Sequence, residues 1–401
     1  MLLARRADET ELGRHVPDIE VESIGTLLDV MSASMLVIAT FAAGSMVSAY
    51  ASASSTATPR AFPLVVADDV SQNALSTFVG AFIFSIVGLI AVTNGYYDRA
   101  GRFTLFVLIL AVLAAVTATF VRWVDRIARL GRQGPIIDKV EWAATEAIRK
   151  RRRAPTLRAA PAPKRAPGGV AVHSDSVGYV RRIDVSELQS CAEKADAVIS
   201  VLALPGTFSA PGVALAAVHG QGHGEKPDLR KIAAAFEIGD SRRFDEDPRF
   251  GLVVLAEIAG RALSPAVNDP GTAIDVIGTM VRLFALWAEP VEPDQRAKIV
   301  FDRVEMPEVA LGDLFDDAFI SIARDGAQSF EVTMRLQKAL LSLAGTGDEE
   351  MREAALRHVR QSLARTEDKL FLPAHLEAIR AVAARALAVP PRTAGGDSAA
   401  V

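Results

Sequence analysis

The sequence predicts a membrane α-helical N-terminal part with three spans, followed by a cytosolic α+β domain. This domain should open with a small β-barrel-like segment and then be mostly helical. Half of the 401 residues are hydrophobic and the mean hydropathy is +0.24, although 23% of the residues are charged. The apolar residues are concentrated in three runs near the N-terminus. A basic segment and a Pro/Ala-rich segment then precede mixed strand and helix patterns.

Three uncharged runs account for the membrane prediction. They extend from Val30 to Pro59, from Val70 to Tyr97 and from Phe103 to Val121. A helix of about 20 apolar residues crosses a bilayer. Buried core helices are the alternative, but three such runs close together favour an integral membrane protein. The predicted spans are about 27–50, 74–93 and 103–122, within a transmembrane region at 24–124.

The charges that flank the spans predict their orientation. Residues 122–153 carry ten Lys or Arg against four Asp or Glu, whereas residues 1–26 carry three basic and six acidic residues. The positive-inside rule therefore places everything after Val121 in the cytoplasm and the N-terminus outside. The polar segment at 1–23 lacks the apolar stretch of a signal peptide.

A basic juxtamembrane helix is predicted at 125–153, followed by a Pro/Ala linker at 154–169. The helix could rest on anionic headgroups, where each Lys or Arg contributes about 1 kcal/mol. Its charges could equally serve only as a topology signal. The candidate membrane-surface residues are Arg149, Lys150, Arg151, Arg152 and Arg153.

A small β-rich segment is predicted at 170–225. β-branched residues between turn glycines and prolines indicate strands at 178–185, 197–206 and 213–220, and SELQSCAEKA reads as a short helix. The pattern is similar to the half-barrel repeat of biotinyl and lipoyl modules. No Lys lies at the position that such carriers modify, so a structural or docking barrel is favoured over a carrier.

Two features of this segment are read as structural. His219 and His223 lie four residues apart beside Glu225, but the intervening glycines disfavour the helix that a metal-binding pair of this spacing needs. Cys191 is the single cysteine, so an internal disulfide and a cysteine-based zinc site are excluded. A solvated loop and a small buried side chain are the favoured interpretations.

Helical periodicity dominates the rest of the chain. Residues 226–290 predict a short helix that includes Phe236 and stops at Gly239, and then a helical hairpin with a SPAVNDP turn. Residues 291–388 predict an α+β segment, in which IVFDRVEM and DAFISIAR read as strands before two or three amphipathic helices. The tail at 389–401 is small and polar, and disorder is expected there.

The turn SPAVNDPGT at 264–272 has a structural and a functional interpretation. Pro265 ends one helix, Asp269 is a good N-cap and Pro270 suits the first turn of the next helix. Asn268 is not explained by capping. A helix N-terminus also favours anions, so a phosphate, a nucleotide or an acidic headgroup could bind there.

Arginines in the preceding loop and helix could complete such an anion site. Asp245, Glu246 and Asp247 could instead neutralise them in a structural ion network, and this alternative is favoured because charge-rich loops are usually solvated or paired. The tentative ligand-binding residues are Arg242, Arg243, Arg249, Arg261, Asn268, Asp269 and Thr272.

The first span has one face of small and hydroxyl residues. Such a face favours close helix packing and oligomerisation, with a polar pore as the alternative. No charged residue lies within the spans, which argues against a proton-coupled transporter. The candidate packing or pore-lining residues are Ser34, Thr40, Gly44, Ser45 and Ser48.

Two stretches carry a family resemblance: the membrane segment from SASMLVIATFAAG to FSIVGLIA and the run DEDPRFGLVVLAEIAGRALSPAVNDPGTAIDVI. They resemble the bacterial predicted-membrane-protein family of domain of unknown function 2254, over about 27–387, and ALSPAVNDPGTA is its most specific motif. The resemblance implies no biochemical activity. It implies a further hydrophobic segment upstream in most members, which would move the N-terminus inside without changing the C-terminal orientation.

We therefore expect an oligomeric, multi-pass protein of the bacterial plasma (inner) membrane with a cytosolic ligand-sensing or scaffold domain. Its expected partners are membrane lipids, further copies of the chain and an anionic small ligand. No cofactor or metal is expected, and nucleic acid is disfavoured because aromatic residues are few and the basic run adjoins the membrane.

Two other functions stay open. One is an ion channel or small-solute transporter gated by the cytosolic domain. The other is a membrane-anchored, metal-dependent phosphate-processing enzyme, for which Asp245, Asp247, Asn268 and Asp269 would bind Mg²⁺. No Walker A loop, nucleophile elbow or HExxH motif supports the enzyme.

Overall fold

The computed structural model describes residues 17–56, 58–66, 69–129, 133–163, 168–220 and 225–391. The chain divides into two compact units, Met1–Ile136 and Ile137–Val401. Residues 1–16 of the predicted polar segment, His223 and residues 392–401 of the predicted tail lie outside the described residues. An apolar helical part does precede a mixed α/β part, as the sequence predicts.

The N-terminal unit is built from helices. Their bounds are α1 (Val21–Thr56), α2 (Phe62–Val66), α3 (Asp69–Thr93) and α4 (Arg99–Arg129). Buried residues of α1 recur every three or four positions, which places them on one face of the helix. They form a core with α3 and α4 around Phe78 and Trp123, whose rings pack edge to face with centroids 6.2 Å apart.

Four helices in the described part of the chain could cross a membrane by length and composition. They are Val21–Ser48, Val70–Thr93, Arg99–Asp125 and Pro270–Ala288. The first three coincide with the apolar runs of the N-terminal unit. The fourth belongs to the C-terminal unit and was not among the predicted spans.

Two sheets follow helix α5 (Gln133–Arg153). Their strands are β1 (Ala159–Pro161), β2 (Val170–His173), β3 (Gly178–Ile183), β4 (Val198–Val201), β5 (Phe208–Ser209), β6 (Ala214–His219), β7 (Phe236–Gly239) and β8 (Phe301–Met306). The five-stranded sheet has the order β1-β8-β4-β6-β2 and the three-stranded sheet the order β5-β3-β7. Helices α6 (Val185–Lys194) and α7 (Leu229–Ala234) contribute to the core that the sheets share.

Three predictions about this region are corrected. The five-stranded sheet is open, with β1 and β2 at its edges, rather than part of a barrel. Ala159–Pro161 lies in the predicted linker but pairs with β8, a strand so distant in the chain that the Pro/Ala composition could not reveal the pairing. Phe236, predicted to be helical, begins β7 because it pairs with Ile183 of β3.

A helical layer completes the C-terminal unit. Its helices are α8 (Pro248–Ala262), α9 (Pro270–Ala288), α10 (Leu311–Asp325), α11 (Phe330–Ala344), α12 (Glu349–Glu367) and α13 (Pro373–Leu387). The strand predicted at DAFISIAR is wrong, because these residues belong to α10. Leu311, Leu314, Phe315, Ala318 and Ile322 are buried at helical spacing, so the whole segment packs as an amphipathic helix.

Candidate functional site

The SPAVNDP turn joins α8 to α9, and backbone amides of the turn donate hydrogen bonds to carbonyl oxygens of the turn and of α8. The amide of Asn268 donates to Ser264 O at 2.9 Å, and the amide of Asp269 donates to Ala262 O at 2.8 Å. Asp269 is the N-cap of α9, as predicted, and its carboxylate accepts from the backbone N (3.1 Å) and Oγ1 (2.6 Å) of Thr272. The Thr272 hydroxyl and amide hold the pKa of Asp269 below its usual value. Capping therefore uses both Asp269 and Thr272.

A buried ion pair forms at the other end of α8. Asp247 is 2% exposed, accepts from Arg242 Nε at 2.6 Å and caps α8 through the amide of Arg249 at 3.0 Å. The guanidinium of Arg242 also lies 5.4 Å from the ring centroid of Phe250. Gly206 has a φ of +95°, and a Cβ there would collide with Asp247 Oδ2. The pair therefore closes the loop between β7 and α8, and Gly206 of the loop between β4 and β5 packs closely against it.

Arg249 connects α8 to α10. Its Nε and Nη2 donate to the two carboxylate oxygens of Asp317, at 2.6 and 3.2 Å, and its Nη1 donates to Asp313 at 2.7 Å. These hydrogen bonds raise the pKa of Arg249 against the opposing effect of burial. Asp313 and Asp317 were missed in the sequence because they lie in or beside the run that reads as a strand. Arg243 pairs with Glu237 at 3.4 Å on the surface.

The structure does not bring the predicted ligand-binding residues together. Arg242, Arg249 and Asp247 lie at the start of α8, whereas Asn268 and Asp269 follow its end. With a rise of about 1.5 Å per residue, the length of α8 separates the two groups by roughly 22 Å. The same separation divides the carboxylates proposed to hold Mg²⁺. Within the described residues, no group of three His, Cys, Asp or Glu could hold a metal ion.

Arg151 is a correction to the predicted membrane-surface segment. It is only 3% exposed, because it continues the buried stripe of α5 that includes Val140, Ala144 and Ile148. Ala144 also packs against Gly251, where an added Cβ would collide with it. The neighbouring Lys150 pairs with Glu246 at 2.7 Å. A buried guanidinium cannot contact a lipid surface, whereas a membrane role for the other four basic residues stays a prediction.

Most of the small and hydroxyl residues of the predicted first span lie on the surface of the N-terminal unit. Ser34, Thr40, Gly44 and Ser48 are exposed and Ser45 is half-buried. Thr40 Oγ1 donates to Leu36 O of its own helix at 2.8 Å, and a Cβ at Gly44 would meet no atom. These residues are therefore available for contacts with lipid or with another copy of the chain.

Comparison with known families shows the family to which the chain belongs. The family described as "Predicted membrane protein (DUF2254)" matches residues 1–342, which include both the apolar helices and the ion network around α8. The chain belongs to this family.

The similar curated proteins are themselves uncharacterised. Proteins of Mycobacterium bovis and Mycobacterium tuberculosis are 31% identical over 133 residues, which is 31% of this chain. The match covers 24% of each relative, so this chain spans only about a quarter of their length. No solved structure matches the chain. Membership of the DUF2254 family thus establishes a membrane protein of unknown function.

Substitutions of Asn268 test whether the backbone conformation of the turn accounts for this residue in the DUF2254 protein. Its φ of 48° is a left-handed conformation that Asn and Gly adopt more readily than other residues. We expect Asn268→Gly to leave the thermal midpoint nearly unchanged and Asn268→Ala to cost about 1 kcal/mol, measured by thermal unfolding in detergent. A clear loss for Asn268→Gly would contradict the conformational role and indicate that the side chain itself makes an interaction.

Proposed function

We propose that this protein is a multi-pass protein of the bacterial inner membrane, with three spans and a cytoplasmic C-terminal unit. The observation that carries the proposal is the outer surface of the N-terminal helices. Large apolar side chains on α1, α3 and α4 are exposed, among them Val37, Phe41, Ile83, Ile90 and Leu110. Such surface is costly in water and suits contact with lipid.

The fourth apolar helix, α9, is not counted as a span in this proposal. It carries Asp275 and Arg282, and charged residues at membrane depth are costly. Arg282 forms a two-bond ion pair with Glu141, with both distances 2.6 Å. Phe284 and its buried neighbours pack against helices of the C-terminal unit. These contacts support a helix buried in protein.

The orientation is tested by cysteine labelling. In a Cys191→Ser background, single cysteines replace Tyr96 between α3 and α4, Arg60 between α1 and α3, and Asp294 in the C-terminal unit. The excess of Lys and Arg after α4 predicts that an impermeant maleimide labels only position 96 in intact spheroplasts. Permeabilised cells are the control. Labelling at 60 or 294 before permeabilisation would contradict the proposed topology.

Within this topology we assign the C-terminal unit a non-enzymatic sensing or scaffold role. We also propose an oligomer, in which copies of the chain contact one another through the exposed face of small residues on α1. Close approach of small residues and hydrogen bonds between hydroxyl groups favour association of membrane helices. The same face could line a pore between copies, so a gated channel is the second candidate. Ion flux in liposomes that requires the purified protein would favour the channel, whereas ligand-dependent stabilisation without flux would favour the sensor.

A further inference from the structure

A cleft of about 490 Å³ lies within the C-terminal unit, where three helix ends meet. Arg151 and Arg152 at the end of α5, Trp287 at the end of α9 and Met351 at the start of α12 contribute to its lining. Arg296, from the segment between α9 and β8, lines it as well. The volume falls in the range of clefts that hold small organic ligands. The cleft thus gathers three arginines beside an aromatic and a thioether side chain.

Arg151 supplies a hydrogen-bond donor without an acceptor. Its Nη2 donates to the backbone oxygen of Glu246 at 3.0 Å, but its Nη1 is buried and has no partner among the described residues. Burial lowers the pKa of Arg151, while Glu246 and Asp247 act in the opposite direction. Buried donors are nearly always hydrogen-bonded in folded proteins, so the Nη1 of this cleft-lining residue retains a donor that a ligand or a water could satisfy.

The other charged residues that line the cleft differ in their burial and in the interactions that they already make. Arg152 is half-buried, and burial lowers its pKa while Glu289 acts against this. The Asp348 carboxylate already caps α12 through the amide of Met351, at 3.0 Å. Glu289 and Glu308 are exposed and lie on the rim with Arg296. Since the formal charges balance, selectivity would come from directed N–H donors rather than from net charge.

We propose that this cleft binds the oxyanion group of a small organic molecule, a phosphate or a carboxylate. The planar guanidinium fork matches the oxygens of both groups, and Arg151, Arg152 and Arg296 all contribute to the lining of the cleft. The apolar body of the ligand would lie against Trp287 and Met351. This proposal rests on the sensing role proposed above, for which it names a ligand class. Anion binding itself does not depend on the orientation of the protein in the membrane.

The test uses the purified full-length protein in detergent, with adenosine monophosphate as the phosphate probe and citrate as the carboxylate probe. Adenosine is the uncharged control. We expect at least one of the two anions to raise the thermal midpoint and to give a saturable signal by isothermal titration calorimetry, whereas adenosine does neither. The arm that responds distinguishes phosphate from carboxylate.

Variants locate the binding. Arg152→Gln and Arg296→Gln should each weaken the affinity about tenfold or more, because each removes charge-assisted hydrogen bonds. Arg149→Gln is the matched control, since Arg149 is on the same helix but pairs with Glu146 outside the cleft lining. Arg152 and Arg296 are not buried, so their variants should fold.

Three results would overturn the proposal: no response to either anion, equal binding of adenosine, or equal weakening by Arg149→Gln. These results differ from failure of the proposed membrane topology, which the maleimide labelling measures independently. An inverted topology with intact anion binding would leave the cleft assignment in place and remove only its cytosolic sensing role.

Discussion

Replacing Asp247 with alanine is expected to lower the free energy of unfolding of the C-terminal unit by about 3–5 kcal/mol, the range for breaking a buried ion pair. The change removes the partner of Arg242, whose side chain is only 14% exposed, and the cap of α8. Loss of the cap alone accounts for about 1 kcal/mol of this effect. Denaturant and thermal unfolding of the purified protein in detergent measure the loss.

Asp247→Asn separates capping from charge. Burial raises the pKa of Asp247 even though hydrogen bonding and charge attraction from Arg242 oppose the increase. The ion pair therefore does not fully compensate the carboxylate for its lost hydration, and a neutral amide should recover part of that cost. Since an Asn oxygen can still accept from the amide of Arg249, we expect Asp247→Asn to lose less stability than Asp247→Ala.

Asp245 provides a matched control in the same loop, because its side chain is exposed. Substitutions at such surface positions usually change the free energy of unfolding by less than about 0.5 kcal/mol. Asp245→Ala should therefore unfold like the unchanged protein. If Asp247→Ala were no more damaging than Asp245→Ala, the pair would not stabilise the start of α8.

The sequence predicted best those elements that are specified locally. The uncharged runs become α1, α3 and α4, because about 20 consecutive apolar residues favour a helix long enough to cross a membrane. The start of α9 is also specified by neighbouring residues, because Asp269 caps the helix and Pro270 has a fixed φ that suits its first turn. The left-handed φ of Asn268 now accounts for the residue that capping left unexplained.

The sequence could not predict features that depend on distant contacts. A short apolar run such as DAFISIAR fits a strand or a buried helix about equally well, and only packing decides for α10. The ion pair of Arg249 with Asp317 joins residues 68 positions apart. Arg151 looks like one of five basic surface residues until the buried face of α5 is known. Charge patterns therefore located the ion network but did not reveal which arginines were already paired.

The second large effect concerns pH and His358. This histidine of α12 is 2% exposed and lies near the rings of Phe315 and Phe319, with centroids 5.8 and 6.0 Å away. Burial, followed by the charge of Arg357, lowers its pKa from 6.5 to about 4, although Asp316, 3.0 Å from Nε2, acts in the opposite direction. The folded protein therefore holds this imidazole neutral where the unfolded chain protonates it.

The contribution of the neutral His358 side chain to the free energy of unfolding is fully present above pH 6.5. It is lost as the pH falls towards 4, because the unfolded state binds the extra proton. A difference of about 2.5 pKa units corresponds to about 3 kcal/mol over this window. We expect His358→Gln to lack this part of the acid-induced loss when thermal midpoints are measured between pH 7 and pH 4. His173→Gln, at an exposed histidine, should keep it. An unchanged acid-induced loss in His358→Gln would show that other groups, such as the carboxylates of the ion network, control acid unfolding.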